Sequence, residues 1–106
     1  MTLPVVQHLA DLPGPLDAEH LTTLAHGAAF RLEHILSGAH ASPPDSWYDQ
    51  AQPEWVVLLA GRATLAFETG TLELGAGDAL LIPAHARHRV ATSADAVWLA
   101  LHFEPR

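Results

Sequence analysis

The sequence predicts a single all-β domain, a closed barrel or sandwich, with one short helix near its amino terminus. Eight to ten short apolar or alternating segments follow one another, separated by turns rich in glycine and proline. Their spacing is regular, and a closed architecture removes the free edges that so many short strands would otherwise expose. The chain has 106 residues, of which 49% are hydrophobic, and this suits one domain with one core.

The first 29 residues are expected to lie outside the barrel, which we assign to residues 30–103. A short edge strand is expected at residues 5–9, in a segment that contains several prolines. Residues 17–26 have the features of a short helix. Asp17 can cap its first turn, apolar side chains share one face, and a glycine follows the last turn.

A carboxylate opens the most apolar segment of the chain. Glu54 precedes a run of six apolar residues, and we expect this strand to end at Gly61. Burying a carboxylate is costly unless another group pairs with it, so Glu54 needs a polar partner inside the fold. Further strands are expected at residues 30–37, 62–68, 71–74, 79–82, 87–91 and 96–103, with a turn at residues 92–95.

Composition argues against several classes of function. The net charge is −7, and Arg87 with Arg89 form only a very small basic patch, so neither nucleic acid nor an anionic membrane is an expected partner. There is no cysteine, which excludes disulfides and thiolate metal ligands. The first residues lack the features of a signal peptide, and no apolar run approaches the ~20 residues of a membrane span. We therefore expect a cytoplasmic protein.

Two spaced motifs occur in order along the chain. Glu54 and Gly61 form the pattern E-x6-G. Gly77, Pro83 and His88 form the pattern G-x5-P-x4-H. Both patterns resemble the sequence motifs of the cupin superfamily, and the chain is similar to its small, single-domain, mostly uncharacterised members. The resemblance implies a cupin fold, which is a double-stranded β-helix or jelly-roll barrel, and a homodimer.

The resemblance is incomplete at the positions that usually bind metal. The family has His-x-His ahead of the motif glutamate, whereas this chain has Tyr48-Asp49-Gln50, or the same segment shifted by one residue. The usual set of three histidines and one glutamate is therefore not carried over whole. Only Glu54 and His88 match the family's functional positions residue by residue.

Several side chains are candidate ligands for a divalent metal, which needs three or four donors on converging strands. Glu54 and His88 supply two of them. Asp49 and Gln50 offer oxygen donors near the missing histidines, and His102 alternates with apolar residues on the last strand and could reach the interior. Such a set suits Mn²⁺, Fe²⁺ or Zn²⁺ in a rather weak site. A hydrogen-bonded Glu54–His88 pair without metal is an equally open interpretation.

Three functions follow from these alternatives. With a metal, the protein would be a dioxygenase, decarboxylase or isomerase that acts on a small polar acid or sugar, as the resemblance implies. Without one, Glu54 and His88 could still act as catalytic base and acid. In the third alternative, the barrel is a binding or sensing module that holds a small molecule and performs no reaction.

Aromatic and other histidine side chains have simpler interpretations. Tyr48 and Trp98 could line the pocket, although packing is the commoner fate of such rings. His34 lies on a strand face with two leucines and is expected to be packed rather than a ligand. The histidines of the amino-terminal segment are expected on the surface, at positions His8, His20 and His26.

Overall fold

The computed structural model describes residues 3–14, 16 and 18–105. In this part of the chain the backbone forms six β-strands and no helix. The strands are β1 (His20–His26), β2 (Phe30–Gly38), β3 (Glu54–Phe67), β4 (Gly70–Gly75), β5 (Ala79–Ile82) and β6 (His88–Phe103). The prediction of an all-β domain is confirmed.

All strand pairs are antiparallel and belong to one sheet of order β1-β2-β6-β3-β4, with β5 paired to β3. The longest strand, β6, pairs with β2 on one side and with β3 on the other. Side chains from β1, β2, β3, β5 and β6 line one internal cavity, so the sheet curves around into a β-barrel.

Two strands are longer than the sequence predicted because each continues through a bulge. β3 runs through Gly61 and β6 runs through residues 92–95, where we expected an end and a turn. The register between the two strands shifts on either side of Gly61. Gly61 has a φ of 81°, and a Cβ there would press on the carbonyl oxygens of Ala94 and Asp95. A glycine bulge therefore lets both strands bend together, and each of them joins two of the predicted segments into one strand.

The bulge also changes which side chains of β3 point inward. Val56 and Leu58 are buried before it, whereas Ala63 and Leu65 are buried after it, so the inward set changes from even to odd positions. Ile82, Trp98 and Ala100 from the neighbouring strands complete the core around them. Glu54 lies on the same face as Val56, so its carboxylate points into the barrel.

The predicted amino-terminal helix is wrong. Residues 20–26 form β1, an edge strand that pairs with β2. Two adjacent threonines favour an extended backbone, and Leu21 lies opposite Ile35 in the register. Pairing with β2 therefore overrides the helical spacing of the leucines. Asp17, the expected cap of that helix, lies outside the described residues.

The expected edge strand at residues 5–9 is also wrong, because this segment has no ladder hydrogen bonds to another strand. It is held to β2 at one point, where the His34 Nε2–H donates to the carbonyl oxygen of Leu9 over 2.8 Å. His34 is thus a packed, hydrogen-bonded side chain, as expected. Nothing in the described part of the chain forms a helix with the length and hydropathy of a membrane span.

Candidate functional site

A cavity of about 260 Å³, partly open to solvent, lies inside the barrel. Its walls are mostly aliphatic and aromatic, and Ile35, Leu65, Ile82 and Trp98 are among them. Polar side chains gather at one end of the cavity. Glu54 comes from the start of β3, His88 from the start of β6, and His102 from near the end of β6. A mostly apolar pocket with a few converging polar groups is the usual form of a small-molecule site.

The polar end is built around Glu54, the first residue of β3. His102 lies directly opposite Glu54 in the register of β3 and β6, and His88 is the first residue of β6. The Oε1 of Glu54 is 3.6 Å from the Nε2 of His88, and its Oε2 is 3.5 Å from the Nε2 of His102. All three residues are buried, with 8% or less of their surface exposed. The carboxylate therefore has the imidazole partners that its burial requires.

A second buried carboxylate, Glu33 on β2, extends this cluster. The His102 Nε2–H donates to the Oε1 of Glu33 over 3.0 Å, and the Arg31 Nε–H donates to the Oε2 of Glu33 over 2.9 Å. Glu33 was not among the residues predicted for the site. Its signal was a charged residue that shares one strand face with Arg31 and Ile35, on a strand otherwise rich in apolar residues.

The ring of His88 is held in one orientation by the backbone. Its Nδ1–H donates to the carbonyl oxygen of Ala86 over 2.9 Å, so in the neutral ring the Nε2 lone pair faces Glu54. Burial by itself lowers the pKa of His88, but the Glu54 carboxylate and the Ala86 carbonyl favour the charged ring more strongly. The pKa of His88 therefore lies above its ordinary value of 6.5.

Tyr48 is attached to the same strand end. Its backbone makes two hydrogen bonds with that of His88, of 2.7 and 3.1 Å, and the two rings lie with centroids 5.4 Å apart. Burial raises the pKa of the Tyr48 phenol, and the carboxylates of Glu19 and Glu54 raise it further. A hydrogen bond with the Ser42 side chain offsets only part of this rise, so the hydroxyl stays protonated at neutral pH.

Asp49 is not brought to this cluster. Tyr48 and Gln50 line the cavity, whereas Asp49 points the other way and accepts a 2.8 Å hydrogen bond from the Nδ1–H of His85. Both members of that pair are exposed at the rim. The backbone N–H of His85 also donates to the carbonyl oxygen of Gln50 over 2.7 Å, so two hydrogen bonds join the rim loops beside the cavity. Asp49 is corrected from a candidate ligand to a rim residue.

The other residues considered from the sequence lie in the cavity wall, beside Trp47 or on the surface. Trp98 is 5% exposed and lines the cavity. Arg87 and Arg89 do not line the cavity, and both guanidinium groups lie over the ring of Trp47, 5.4 and 5.5 Å from its centroid. The three amino-terminal histidines are exposed, as predicted.

The donors that a divalent metal would use are only partly assembled. In the described residues, no group of three or more His, Asp or Glu side chains is arranged to hold a metal ion. The Nε2 of His102 is already bonded to Glu33, which leaves the Nε2 of His88 and the carboxylate of Glu54. Gln50 lines the same cavity and could add an amide oxygen. The set fits a metal only weakly, because protein metal centres use at least three good donors.

Comparison with known proteins agrees with this architecture. The Cupin domain family matches residues 31–102. A crystal structure from Ralstonia eutropha JMP134, of a protein provisionally named mannose-6-phosphate isomerase, is 38% identical, covers 96% of this chain and 100% of that chain, and superimposes with a TM-score of 0.89. No curated protein matches the chain significantly.

More distant structures share the fold alone. A cupin superfamily protein from Desulfitobacterium hafniense DCB-2 is 17% identical, covers 89% of this chain and 84% of that chain, and has a TM-score of 0.76. KdgF from Halomonas sp. is also 17% identical, covers 91% and 89% of the two chains, and has a TM-score of 0.71. Together with the family match over most of its length, the barrel and its two motifs make this chain a member of the cupin superfamily.

Proposed function

We propose that this cupin binds a small polar molecule in its barrel and moves a proton on it with Glu54 and His88. One observation carries the proposal: a buried carboxylate and a buried imidazole lie 3.6 Å apart at the polar end of a cavity. Acid and base groups placed side by side against a bound molecule contribute roughly 10²–10⁴-fold to a proton-transfer reaction. The cavity is slightly below the roughly 300–1,000 Å³ that drug-sized ligands occupy, so a small molecule suits it.

The two groups have complementary roles in an isomerisation. The Glu54 carboxylate takes a proton from the carbon next to a carbonyl, while the His88 imidazolium gives its proton to the carbonyl oxygen. Glu54 then gives its proton to the former carbonyl carbon, and His88 takes the proton of the hydroxyl group on the neighbouring carbon. An α-hydroxy carbonyl compound is thereby isomerised and both side chains return to their starting states, so no oxidant or other reactant is needed. The raised pKa of His88 supports this role, because it keeps more of the ring protonated near neutral pH. Tyr48 and Gln50 also line the cavity, and in this proposal their hydroxyl and amide groups orient the molecule.

Exchange of carbon-bound hydrogen tests this function. Small α-hydroxy aldehydes and ketones are incubated with the protein in D₂O, and the loss of the α-proton signal is followed by NMR. We expect exchange with the native protein and a loss of about 10²-fold or more in Glu54→Gln and in His88→Gln. Asp49→Asn is the matched control, because it neutralises a carboxylate at the rim and should keep native exchange.

A different result would favour the binding or sensing module. The catalytic proposal is contradicted if compounds bind to Glu54→Gln as they do to the native protein and the native protein exchanges the α-proton of none of them. Shifts of the cavity methyl resonances on titration of each compound measure that affinity independently of turnover.

A metal-dependent reaction is the second candidate, and the tautomer of His88 favours it. Because the Nδ1–H donates to the Ala86 carbonyl, the Nε2 lone pair is directed at Glu54. A metal-binding histidine is commonly fixed in this way, with the ring nitrogen that does not bind the metal donating a hydrogen bond. Gln50, Glu54 and His88 are the residues that would hold Mn²⁺, Fe²⁺ or Zn²⁺, and the ion would polarise an oxygen of the bound molecule. Elemental analysis of protein purified without added metal decides between the candidates. Stoichiometric metal that is lost in both Glu54→Ala and His88→Ala would replace the metal-free proposal.

A homodimer is proposed through the outer face of the sheet. Trp55 on β3 pairs in register with Leu81 on β5 and with Leu101 on β6, and Trp55 and Leu81 are 41% and 55% exposed. An exposed apolar patch of this kind commonly marks an interface. Light scattering after size exclusion tests it: Trp55→Glu should give a monomer, whereas Leu72→Glu, an exposed leucine on β4, should not. The cytoplasmic location and the lack of nucleic-acid or membrane partners stay predictions.

A further inference from the structure

The charge of the cavity narrows the class of molecule that it can bind, if the proposed function holds. Three carboxylates line it, from Glu19, Glu33 and Glu54. Arg31 is the single arginine in the lining among the described residues, and its Nε–H is already bonded to Glu33. Half of the Arg31 side chain, 46%, is also exposed, so part of its charge is screened by solvent.

The carboxylates differ in how far they are compensated. Glu33 has both Arg31 and His102 as partners, and Glu54 lies between two imidazoles. Glu19, in contrast, has no ion pair within the described part of the chain and accepts one hydrogen bond, from the Ser37 hydroxyl over 3.0 Å. It is thus the carboxylate whose charge faces the cavity with the least compensation.

The lining is therefore negative while the imidazoles are neutral, and protonation of His88 alone does not reverse the sign. The pKa of the Tyr48 phenol is raised by burial and also by these negative charges. After burial, the carboxylate of Glu19 is the largest cause that raises its pKa, and Glu54 adds to it. Any further anion in the cavity, whether a phenolate, a phosphate or a carboxylate, is repelled by the charges of these glutamates. The low-dielectric walls strengthen this repulsion.

We propose that the cavity selects uncharged or amine-bearing polar molecules and rejects phosphorylated and carboxylated ones. A sugar phosphate would bring a charge of about −2 into a lining that already holds three carboxylates, and whose one arginine is bonded to Glu33 through Nε and partly screened by solvent. The structurally similar Ralstonia protein carries the name of a sugar-phosphate isomerase, so this selectivity separates the present chain from what that name would imply for it.

The electrostatic test does not depend on knowing the natural ligand. Methyl relaxation is measured in low-salt buffer with chelator, in the presence of a cationic amino-nitroxide or of its anionic carboxy-nitroxide counterpart. The reporters are cavity methyls of Ile35, Val56, Ile82 and Val90, and exposed methyls of Leu72 serve as a reference. We expect the cationic probe to relax the cavity methyls at least about threefold more than the anionic probe, relative to the reference.

Variants identify the group responsible. Glu19→Gln should lower the cation-to-anion ratio, because glutamine still accepts the Ser37 hydrogen bond but carries no charge. Glu73→Gln, which removes an exposed carboxylate on β4, should leave the ratio as it is in the native protein. A native ratio near one or below one overturns the proposal, as does a ratio that Glu19→Gln and Glu73→Gln change equally.

A ligand comparison gives a second readout. Mannose, mannosamine and mannose 6-phosphate are titrated while the cavity methyl shifts are followed. Larger saturating shifts or tighter binding with the phosphate than with mannose contradict the selectivity, and the opposite order supports it. Loss of the selectivity is distinguishable from failure of the proton-transfer function, because the latter shows as absent hydrogen exchange with the nitroxide ratio unchanged.

Discussion

Glu54 and His102 lie directly opposite each other on β3 and β6, with Oε2 and Nε2 3.5 Å apart. Their pairing sets the geometry of the whole polar cluster, because β6 also delivers His88 from its other end and pairs with the strand that carries Glu33. The site is thus assembled by strand register rather than by a loop. Side chains on strands of a barrel are held more rigidly than side chains on loops.

The raised pKa of His88 predicts a titration that depends on Glu54. We expect the NMR signal of the His88 ring to titrate with a midpoint above 6.5, and Glu54→Gln to lower that midpoint. The groups that face the ring are Glu54 from β3, the rings of Tyr48 and Phe67, and the Ala86 carbonyl. Of these only the glutamate adds a full negative charge.

The same shift predicts a pH dependence of folding. Because the folded protein binds this proton more tightly than the unfolded chain does, the stabilisation by charged His88 is fully present below pH 6.5. It is lost as the pH rises through the folded-state pKa. Urea unfolding at pH 5.5 and pH 8.5 measures it: His88→Gln should lose relatively more stability at the lower pH. Equal losses at both values would contradict the assignment, and His26→Gln, an exposed histidine, is the control.

Glu33→Gln is expected to destabilise the protein although the residue is not in the reacting pair. The substitution removes the charge that Arg31 and His102 share, and it leaves two donors facing one acceptor oxygen. A loss of about 1–3 kcal/mol in the free energy of unfolding is expected for such a buried, charge-assisted network. Denaturant unfolding measures this loss. Glu73→Gln, which changes an exposed side chain, should stay within about 0.5 kcal/mol of native, and equal values for both variants would contradict the role of Glu33.

Part of this site could be predicted from the sequence because it rests on local spacing. Glu54 and His88 sit at fixed distances from Gly61 and Pro83, and a strand start with a buried carboxylate requires a partner. Gln50 and His102, two of the predicted metal ligands, line the cavity, as do Tyr48 and Trp98, for which packing was the commoner expectation. Alternation along a strand is a reliable guide to which side chains face inward, so the positions of Trp98 and His102 on β6 follow from the pattern.

The rest depended on contacts between distant segments. Glu33 matters because β2 pairs with β6, and Glu19 lines the cavity directly before β1, a strand in place of the expected helix. Asp49 was assigned as a ligand because it lies near the missing histidines in sequence. The segment before β3 is irregular, so spacing to Glu54 did not determine which way each side chain points.

Asp49→Asn is expected to have little effect on stability or on the cavity. Its ion pair with His85 is exposed on both sides, and such pairs contribute less than about 1 kcal/mol. Gln50→Ala, one position later, removes a side chain that lines the cavity and should weaken ligand binding. Cavity-methyl titration and denaturant unfolding of the two variants test the distinction. A larger effect on ligand affinity from Asp49→Asn than from Gln50→Ala would restore Asp49 as a site residue.

Gly61→Ala is expected to be strongly destabilising, because the bulge at Gly61 allows β3 and β6 to bend around the cavity. The glycine has a φ of 81°, and an added Cβ would press on the backbone oxygens of Ala94 and Asp95, which cannot move without breaking the pairing. Such strain costs about 1–3 kcal/mol, and more where backbone is displaced. Gly75→Ala is the matched control, since its added Cβ would meet only the Asp78 carboxylate at an ordinary 3.8 Å. Denaturant unfolding should show a large loss for Gly61→Ala and a small change for Gly75→Ala, and similar values for the two variants would show that the bulge does not require glycine.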